Sequence, residues 1–182
     1  MGFVIDTGAS RFTVQAFATG ILSAFGHNPV IGIRDFEGKI EFAPESLDKA
    51  RVQVTVRTSV MEVLNQMKTD DLKKLKQEMY EKVLEIQRYP LAAFKSKVII
   101  IQKASDDLFR ANVSGELSFH GVKRDHSFDA RVVKIGDGLR ISGEFPLRQS
   151  EYGIKPFSFA GGILRLKDEL QFKFELLARK QE

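Results

Sequence analysis

The sequence has no cysteine and no tryptophan, and it contains no long apolar run. Without cysteine the chain has no disulfide framework, thiolate metal site or cysteine nucleophile, and it is compatible with reducing and oxidising compartments alike. No segment approaches the roughly 20 apolar residues of a membrane-spanning helix, and "MGFVIDTGAS" lacks the basic and apolar regions of an export signal. The chain as given is therefore expected to be soluble and cytoplasmic, or periplasmic if this start is a processed or engineered one.

Charge and motifs exclude further classes of protein. A chain of 182 residues that is 43% hydrophobic and 29% charged fits one compact domain over residues 1–182. The net charge is +4, but Lys and Arg are scattered among Asp and Glu, so no nucleic-acid partner is expected. The sequence has no G-x-S-x-G nucleophile elbow and no phosphate-binding Gly-rich loop. We therefore expect neither an enzyme nor a protein with a cofactor.

Most of the chain alternates apolar with polar or small residues, which is the period of a half-buried antiparallel strand. About eight strands are predicted, several of them over ten residues and so about 33 Å or more long, which favours a barrel over a small sandwich. The predicted strands are Arg51–Val56, Ala92–Ile101, Asp107–Phe119, His126–Ile135, Gly138–Leu147 and Asp168–Ala178, together with "SRFTVQAF" and "PVIGIRDFEGKIEF".

One amphipathic helix is predicted between strands, over residues 69–87. Thr69 or Asp70 can cap its start, and Pro90 prevents the helix from continuing further. Its apolar residues recur at three- and four-residue steps and form a single stripe, which favours one packed face that plugs or flanks the sheet over a membrane-surface or partner-binding helix. A lid over a pocket is a third alternative. The stripe consists of Leu72, Leu75, Met79, Val83 and Ile86.

The stretch "SGELSFHGVKRDHSFDA" predicts a hairpin with its turn at Val122 and Lys123. A second turn is predicted at Asp137 and Gly138. These turns keep one face apolar across three strands. The resulting pairs are Leu117 with Phe128, Gly115 with Ala130 and Val113 with Val132, then Ala130 with Phe145, Phe128 with Leu147 and Val132 with Gly143.

The same register places His120 opposite Asp125 and His126 opposite Phe119, with the two histidines on opposite sides of the sheet. They cannot chelate one ion together, and His27 is remote in sequence, so no metal site is expected. His120 and Asp125 could pair as an acid/base couple, but two polar residues at a hairpin tip more often form a solvated pair.

Four motifs resemble those of the YceI-like family, in the family's order. They are "VIDTGASRFTV", "GHNPVIGIRDFEGKIEF", "RYPLAAFKSKVI" and "LSFHGVKRDHSF", the last with Lys123 where the family's "HGVTR" hairpin has Thr; the terminal "EYGIKPFSFAGGILRLKDELQFKFEL" also agrees. The resemblance runs from Asp6 to Leu176. The chain departs from the family in the middle, where the Lys-rich segment Lys68–Pro90 replaces a shorter helical crossing.

The resemblance implies a lipocalin-like antiparallel barrel of eight long strands whose lumen binds and sequesters or carries a polyisoprenoid, an isoprenoid quinone or a related lipid. It also implies roles in lipid transport and stress response, and a homodimer through an exposed edge strand is open. By strand phase, the lining is predicted to comprise Phe36, Phe42, Val54, Val56, Phe94, Val113, Leu117, Phe128, Ala130, Phe145, Phe172 and Phe174. No catalytic residue is assigned.

Alternatives stay open at this point. The 15 Phe residues and the small inward residues Ala111, Gly115, Ala130 and Gly143 favour a cavity, but small residues opposite large ones also build a solid core. A solid structural barrel is therefore one alternative, and an enzyme acting on a lipid-like substrate through His27 or His120 beside a carboxylate is another. A polar head group could meet Arg148, Glu151, Tyr152 and Lys155 in the turn after the "GLRISGEFPL" strand.

Overall fold

The computed structural model describes residues 1–19, 28–66, 68–159 and 164–181. In these ranges the protein is mainly β, with one α-helical segment between strands, as predicted. Its strands are β1 Gly2–Ile5, β2 Arg11–Thr19, β3 Val30–Ile33, β4 Phe36–Glu41, β5 Arg51–Arg57, β6 Met61–Val63, β7 Leu91–Lys103, β8 Leu108–Phe119, β9 Val122–Ile135, β10 Gly138–Arg148, β11 Ser158–Phe159 and β12 Leu164–Lys180.

The sheet closes into an antiparallel barrel of eight strands. Hydrogen bonds connect β1, β4, β5, β7, β8, β9, β10 and β12 in that order, and β12 pairs back onto β1. Beside this ring, β12 also pairs with β2, which pairs with β3, which in turn pairs with β6. The predicted single segment "PVIGIRDFEGKIEF" is thus two strands, β3 and β4, which have different partners. The predicted lipocalin-like fold is confirmed.

The turn predicted for the first hairpin, at Val122 and Lys123, is wrong. The central turn residues are His120 and Gly121, with φ of 50° and 76°. Positive φ at both central residues is the mark of a primed hairpin turn, which glycine adopts freely and which the β-branched Val122 does not favour. The observed pairs are Leu117 with Arg124, Gly115 with His126 and Val113 with Phe128, in place of the predicted ones.

The second hairpin is also shifted. Its turn is centred on Gly136, with φ of 56°, and Asp137. Ala130 therefore pairs with Gly143 and Val132 with Ile141, rather than with Phe145 and Gly143 as predicted. Both errors shift the pairing by an even number of residues. Because side chains alternate with a period of two, the predicted inward faces survive the change of register.

Two inward glycines make room for phenylalanine rings of the barrel itself. A Cβ on Gly115 would collide with the carbonyl oxygen of Lys95 and lie 2.7 Å from Cζ of Phe94. A Cβ on Gly143 would lie 2.6 Å from Cζ of Phe174. The space at these two positions is therefore filled by interdigitated rings, whereas Ala111 and Ala130 do border open space.

Replacement of Gly115 by alanine is expected to destabilise the barrel. The added methyl group must displace the main chain of β7, which costs about 1–3 kcal/mol and lowers the Tm by roughly 3–10 °C. Gly8→Ala is a matched control, because its Cβ would be in ordinary contact, 3.6 Å from the Asp6 carboxylate. Thermal unfolding of both variants tests this, and equal Tm values would contradict it.

One end of the barrel is filled by a packed cluster, and we call it the packed end. Phe109, at the start of β8, is 0% exposed and makes an edge-to-face contact with Phe42 at a centroid distance of 5.1 Å. Leu139 and Ala178 are each 2% exposed, and Phe3 is buried with them. These residues lie near the turn between β9 and β10 and the last residues of β12, and they form the main hydrophobic core.

The helical segment lies over the opposite end, which we call the helix end. The helix α1 spans Thr69–Glu78 and continues as a π-helical turn over Met79–Val83. It thus ends before the predicted Gln87, because Glu85 takes a left-handed φ of 45°. The residue at its N-cap is Lys68, which makes no side-chain cap, rather than Thr69 or Asp70. No helix in the described parts of the chain is long and apolar enough to span a membrane.

Candidate ligand-binding cavity

An apolar cavity of about 280 Å³ lies inside the barrel, along its axis. It is bordered by inward residues of most strands and by the apolar stripe of the helical segment. All twelve residues predicted by strand phase lie on its wall, namely Phe36, Phe42, Val54, Val56, Phe94, Val113, Leu117, Phe128, Ala130, Phe145, Phe172 and Phe174. Their contact with a ligand stays a prediction.

Six phenylalanines form an aromatic belt around the cavity. Consecutive rings in the belt have centroids 5.1–6.2 Å apart, and Phe145 and Phe172 are stacked with an interplanar angle of 2°. Such distances are those of favourable aromatic pairs. The belt draws one ring from each of β7, β9, β10, β12, β2 and β4, and its members in that order are Phe94, Phe128, Phe145, Phe172, Phe12 and Phe36.

Some wall residues were missed by the sequence-based prediction. Phe12, Val14 and Ala16 alternate along β2 and all line the cavity, so the period-two signal was present in "SRFTVQAF". Members of the helical stripe, Leu75, Met79 and Val83, also line the cavity, together with Leu84. The helical segment is therefore a cover over the cavity, as one of the predicted alternatives had it.

His120 anchors this cover rather than pairing with Asp125. It is 9% exposed, its ring lies 4.3 Å from that of Tyr89, and its Nδ1 lies 3.2 Å from the carbonyl oxygen of Tyr152. Its Nε2 lies 3.1 Å from Oε2 of Glu85, a close contact whose direction does not satisfy a hydrogen bond. The predicted solvated couple is wrong, because the turn residue His120 is buried by segments remote in sequence.

Other contacts support this arrangement at the helix end. Asp125, the predicted partner of His120, pairs instead with Lys97 at 2.6 Å. Tyr80 donates its hydroxyl to the carbonyl oxygen of Met61, and Thr58 donates its hydroxyl to that of Tyr89. Hydrogen bonds with β6 and with the residue that follows β5 thus hold the helical cover at its π-helical turn and just after it.

The turn after β10 does not present Tyr152 to a head group. Tyr152 is 2% exposed and packs with Leu147 and Ile154 in a small core of its own. Arg148, Glu151 and Lys155 are exposed, and none of the three borders the cavity.

His126 is a titratable side chain on the cavity wall, beside the aromatic belt. Its ring makes an edge contact with Phe145 at 4.8 Å, and its buried Nε2 has no hydrogen-bond partner. Burial lowers the pKa of His126 below its usual value near 6.5, and the carboxylate of Glu151 opposes this only in part. The ring is therefore neutral at physiological pH.

The depressed pKa of His126 predicts a pH-dependent stability. Between its folded-state pKa and 6.5 the unfolded chain binds more protons than the folded chain, so the free energy of unfolding falls as pH drops through this interval. His126→Leu should lose less stability than the natural chain between pH 7.5 and pH 5. Urea unfolding at both pH values measures the difference, and an equal loss in both proteins would contradict the prediction.

Metal-ligating residues are not grouped in the described part of the chain. No set of three or more His, Asp or Glu side chains could hold an ion there. His27, a candidate in the lipid-enzyme alternative, lies outside the described residues.

Residues 3–178 match the family model described as the YceI-like domain. This match covers nearly the whole chain, so the chain belongs to the YceI-like family. No curated protein matches the sequence.

Solved structures from three organisms share the fold. BcnA from Burkholderia cenocepacia is 18% identical over 95% of this chain and 98% of its own, with a TM-score of 0.73. A polyisoprenoid binding domain from Saccharophagus degradans, implicated in plant cell wall breakdown, is 14% identical over 98% of each chain, with a TM-score of 0.72. The Campylobacter jejuni YceI protein is 17% identical over 84% of this chain and 85% of its own, with a TM-score of 0.63.

Proposed function

We propose that this YceI-like protein binds a long apolar or amphiphilic lipid, of the polyisoprenoid or isoprenoid quinone type, inside its barrel and sequesters or carries it. The observation that carries the proposal is the cavity of about 280 Å³ with an almost wholly apolar wall. Apolar cavities of this kind stay dry and take up apolar molecules. The naming of one structural neighbour as a polyisoprenoid binding domain supports the choice of ligand class.

Binding of this kind requires no covalent bond to be made or broken. Each CH₂ group that leaves water for the cavity gains about 0.8 kcal/mol. The rings of the aromatic belt are rigid, so they lose little conformational freedom when a chain packs against them. Affinity should therefore rise with the length of the hydrocarbon chain until the cavity is full.

The alternatives have less support. An enzyme built on His120 and a carboxylate would need that pair beside the substrate, but His120 packs against Tyr89 and Tyr152, and neither it nor Glu85 borders the cavity. A solid structural barrel would have its interior filled by its own side chains throughout. Here the rings fill the packed end and the space above Gly115 and Gly143, but a cavity remains that is bordered both by Ala111 and Ile141 and by the helical cover.

Native mass spectrometry of the purified protein tests the proposal. We expect an adduct of lipid mass that disappears after extraction with organic solvent. The extracted protein should then take up geraniol, farnesol and geranylgeraniol with affinities that increase in that order. Absence of any adduct, together with no uptake of the three alcohols, would overturn the proposal.

A further inference from the structure

The polar side chains on the cavity wall differ in whether their hydrogen-bonding atoms have partners in the protein or are exposed. Thr58 donates its hydroxyl to the carbonyl oxygen of Tyr89 at 2.9 Å, and Gln149 donates its amide to that of Lys167 at 3.0 Å. Arg51 is an exposed residue whose guanidinium donates to main-chain carbonyl oxygens beside it. Glu41 is also exposed. In the described part of the wall, Nε2 of His126 is the polar side-chain atom that is buried and unpaired.

A buried polar atom without a partner is unfavourable, and native proteins pair the great majority of such atoms. Two aromatic rings flank the His126 ring, since the centroid of Phe145 lies 4.8 Å and that of Phe128 lies 6.3 Å away. Neither ring can accept its hydrogen bond as a carbonyl or hydroxyl would. No group of the described chain accepts or donates a hydrogen bond at Nε2 of His126, and a molecule bound in the cavity that His126 lines can supply the partner.

We infer that Nε2 of His126 hydrogen-bonds an oxygen atom of the bound lipid, either a hydroxyl or a carbonyl group. This inference rests on the proposed function, and it adds the chemistry of the head group and its place. A neutral imidazole has one donor and one acceptor nitrogen, so it can serve either oxygen group. A charged head group is disfavoured at this position because the apolar wall offers it no solvation.

The position of His126 also sets the direction of the lipid. His126 precedes Phe128 by two residues on β9, so both side chains point inward. His126 lies on the side of the aromatic belt that is nearer to the turn containing His120. A head group held there lies between the belt and the helical cover. The hydrocarbon chain then runs through the belt toward the packed end, where Ile101, Ala111 and Ile141 border the cavity.

The test compares geranylgeraniol with the hydrocarbon of the same skeleton, in which hydrogen replaces the hydroxyl group. Affinities of both are measured by native mass spectrometry for the natural chain, His126→Leu and His126→Gln. One hydrogen bond corresponds to roughly a tenfold change in Kd. We expect His126→Leu to bind the alcohol about tenfold more weakly relative to the hydrocarbon, and His126→Gln, whose amide reaches a similar place, to restore part of the preference.

A preference for the alcohol that is unchanged in His126→Leu would overturn the inference while hydrocarbon uptake still supports the proposed function. Failure of both ligands to bind the natural chain would overturn the two together. A second measurement needs no variant: the ¹⁵N chemical shift of His126 Nε2 in the natural chain. It should move when the alcohol binds and much less with the hydrocarbon, and equal shifts would contradict the hydrogen bond.

Discussion

The Val113→Trp substitution is expected to reduce the affinity for geranylgeraniol by about 100-fold while the barrel stays folded. Val113 lies on the cavity wall, opposite Phe128 of the aromatic belt. An indole at this place occupies the space of about three or four CH₂ groups of the lipid, and their loss at ~0.8 kcal/mol each corresponds to that factor. Because the natural chain has no tryptophan, the indole also supplies a single tryptophan whose emission can be excited apart from that of the three tyrosines.

Arg110→Trp is the matched control for this experiment. Arg110 lies on the same strand, β8, but its side chain is exposed on the outer surface. The control should retain the affinity of the natural chain, and its fluorescence should be that of an indole in water. Equal affinities of the two variants would show that the lipid does not occupy the barrel at the level of the belt.

The Phe109→Ala substitution is expected to lower the free energy of unfolding by about 3–5 kcal/mol. Phe109 is wholly buried and packs against Phe42 at the packed end, so removal of its ring leaves a void that the closed sheet cannot collapse around. For a chain of this size the Tm should fall by roughly 10 °C or more. Urea and thermal unfolding measure both quantities.

Ile100→Ala provides the comparison, because Ile100 is 60% exposed on β7. A change of this kind on the outer surface usually alters stability by no more than about 0.5 kcal/mol. If Phe109→Ala cost as little as Ile100→Ala, the packed end would not be the hydrophobic core of the barrel.

Strand phase was the part of the fold that the sequence predicted best. Alternation alone placed residues such as Phe94, Val113 and Phe145 on the inner face, and the structure has them there. The registers were wrong because any even shift preserves an apolar face, so side-chain pairing could not choose among them. The choice depends on which residues take positive φ, and His120 preceding Gly121 was the signal that was missed.

The candidate site was only partly predictable for a different reason. The burial of His120 arises from Tyr89 and Tyr152, which are far from it in sequence, so no local pattern contains it. His126 is one inward residue of the alternating strand β9, and only the folded barrel shows that its Nε2 is unpaired. The helix was predicted to extend too far, to Gln87, because the apolar stripe continues to Ile86, past the left-handed residue Glu85.

The helical cover connects the interior of the barrel to its surface. Leu75, Met79 and Val83 form part of the cavity wall, while Glu78 and Lys82 form an ion pair on the other side of the same segment. A lipid that fills the cavity adds contacts beneath this segment, and its departure removes them. Under the proposed function, the filled and empty proteins would therefore differ in the contacts that support this segment from beneath, so occupancy of the lumen would change the rigidity of a segment at the protein surface.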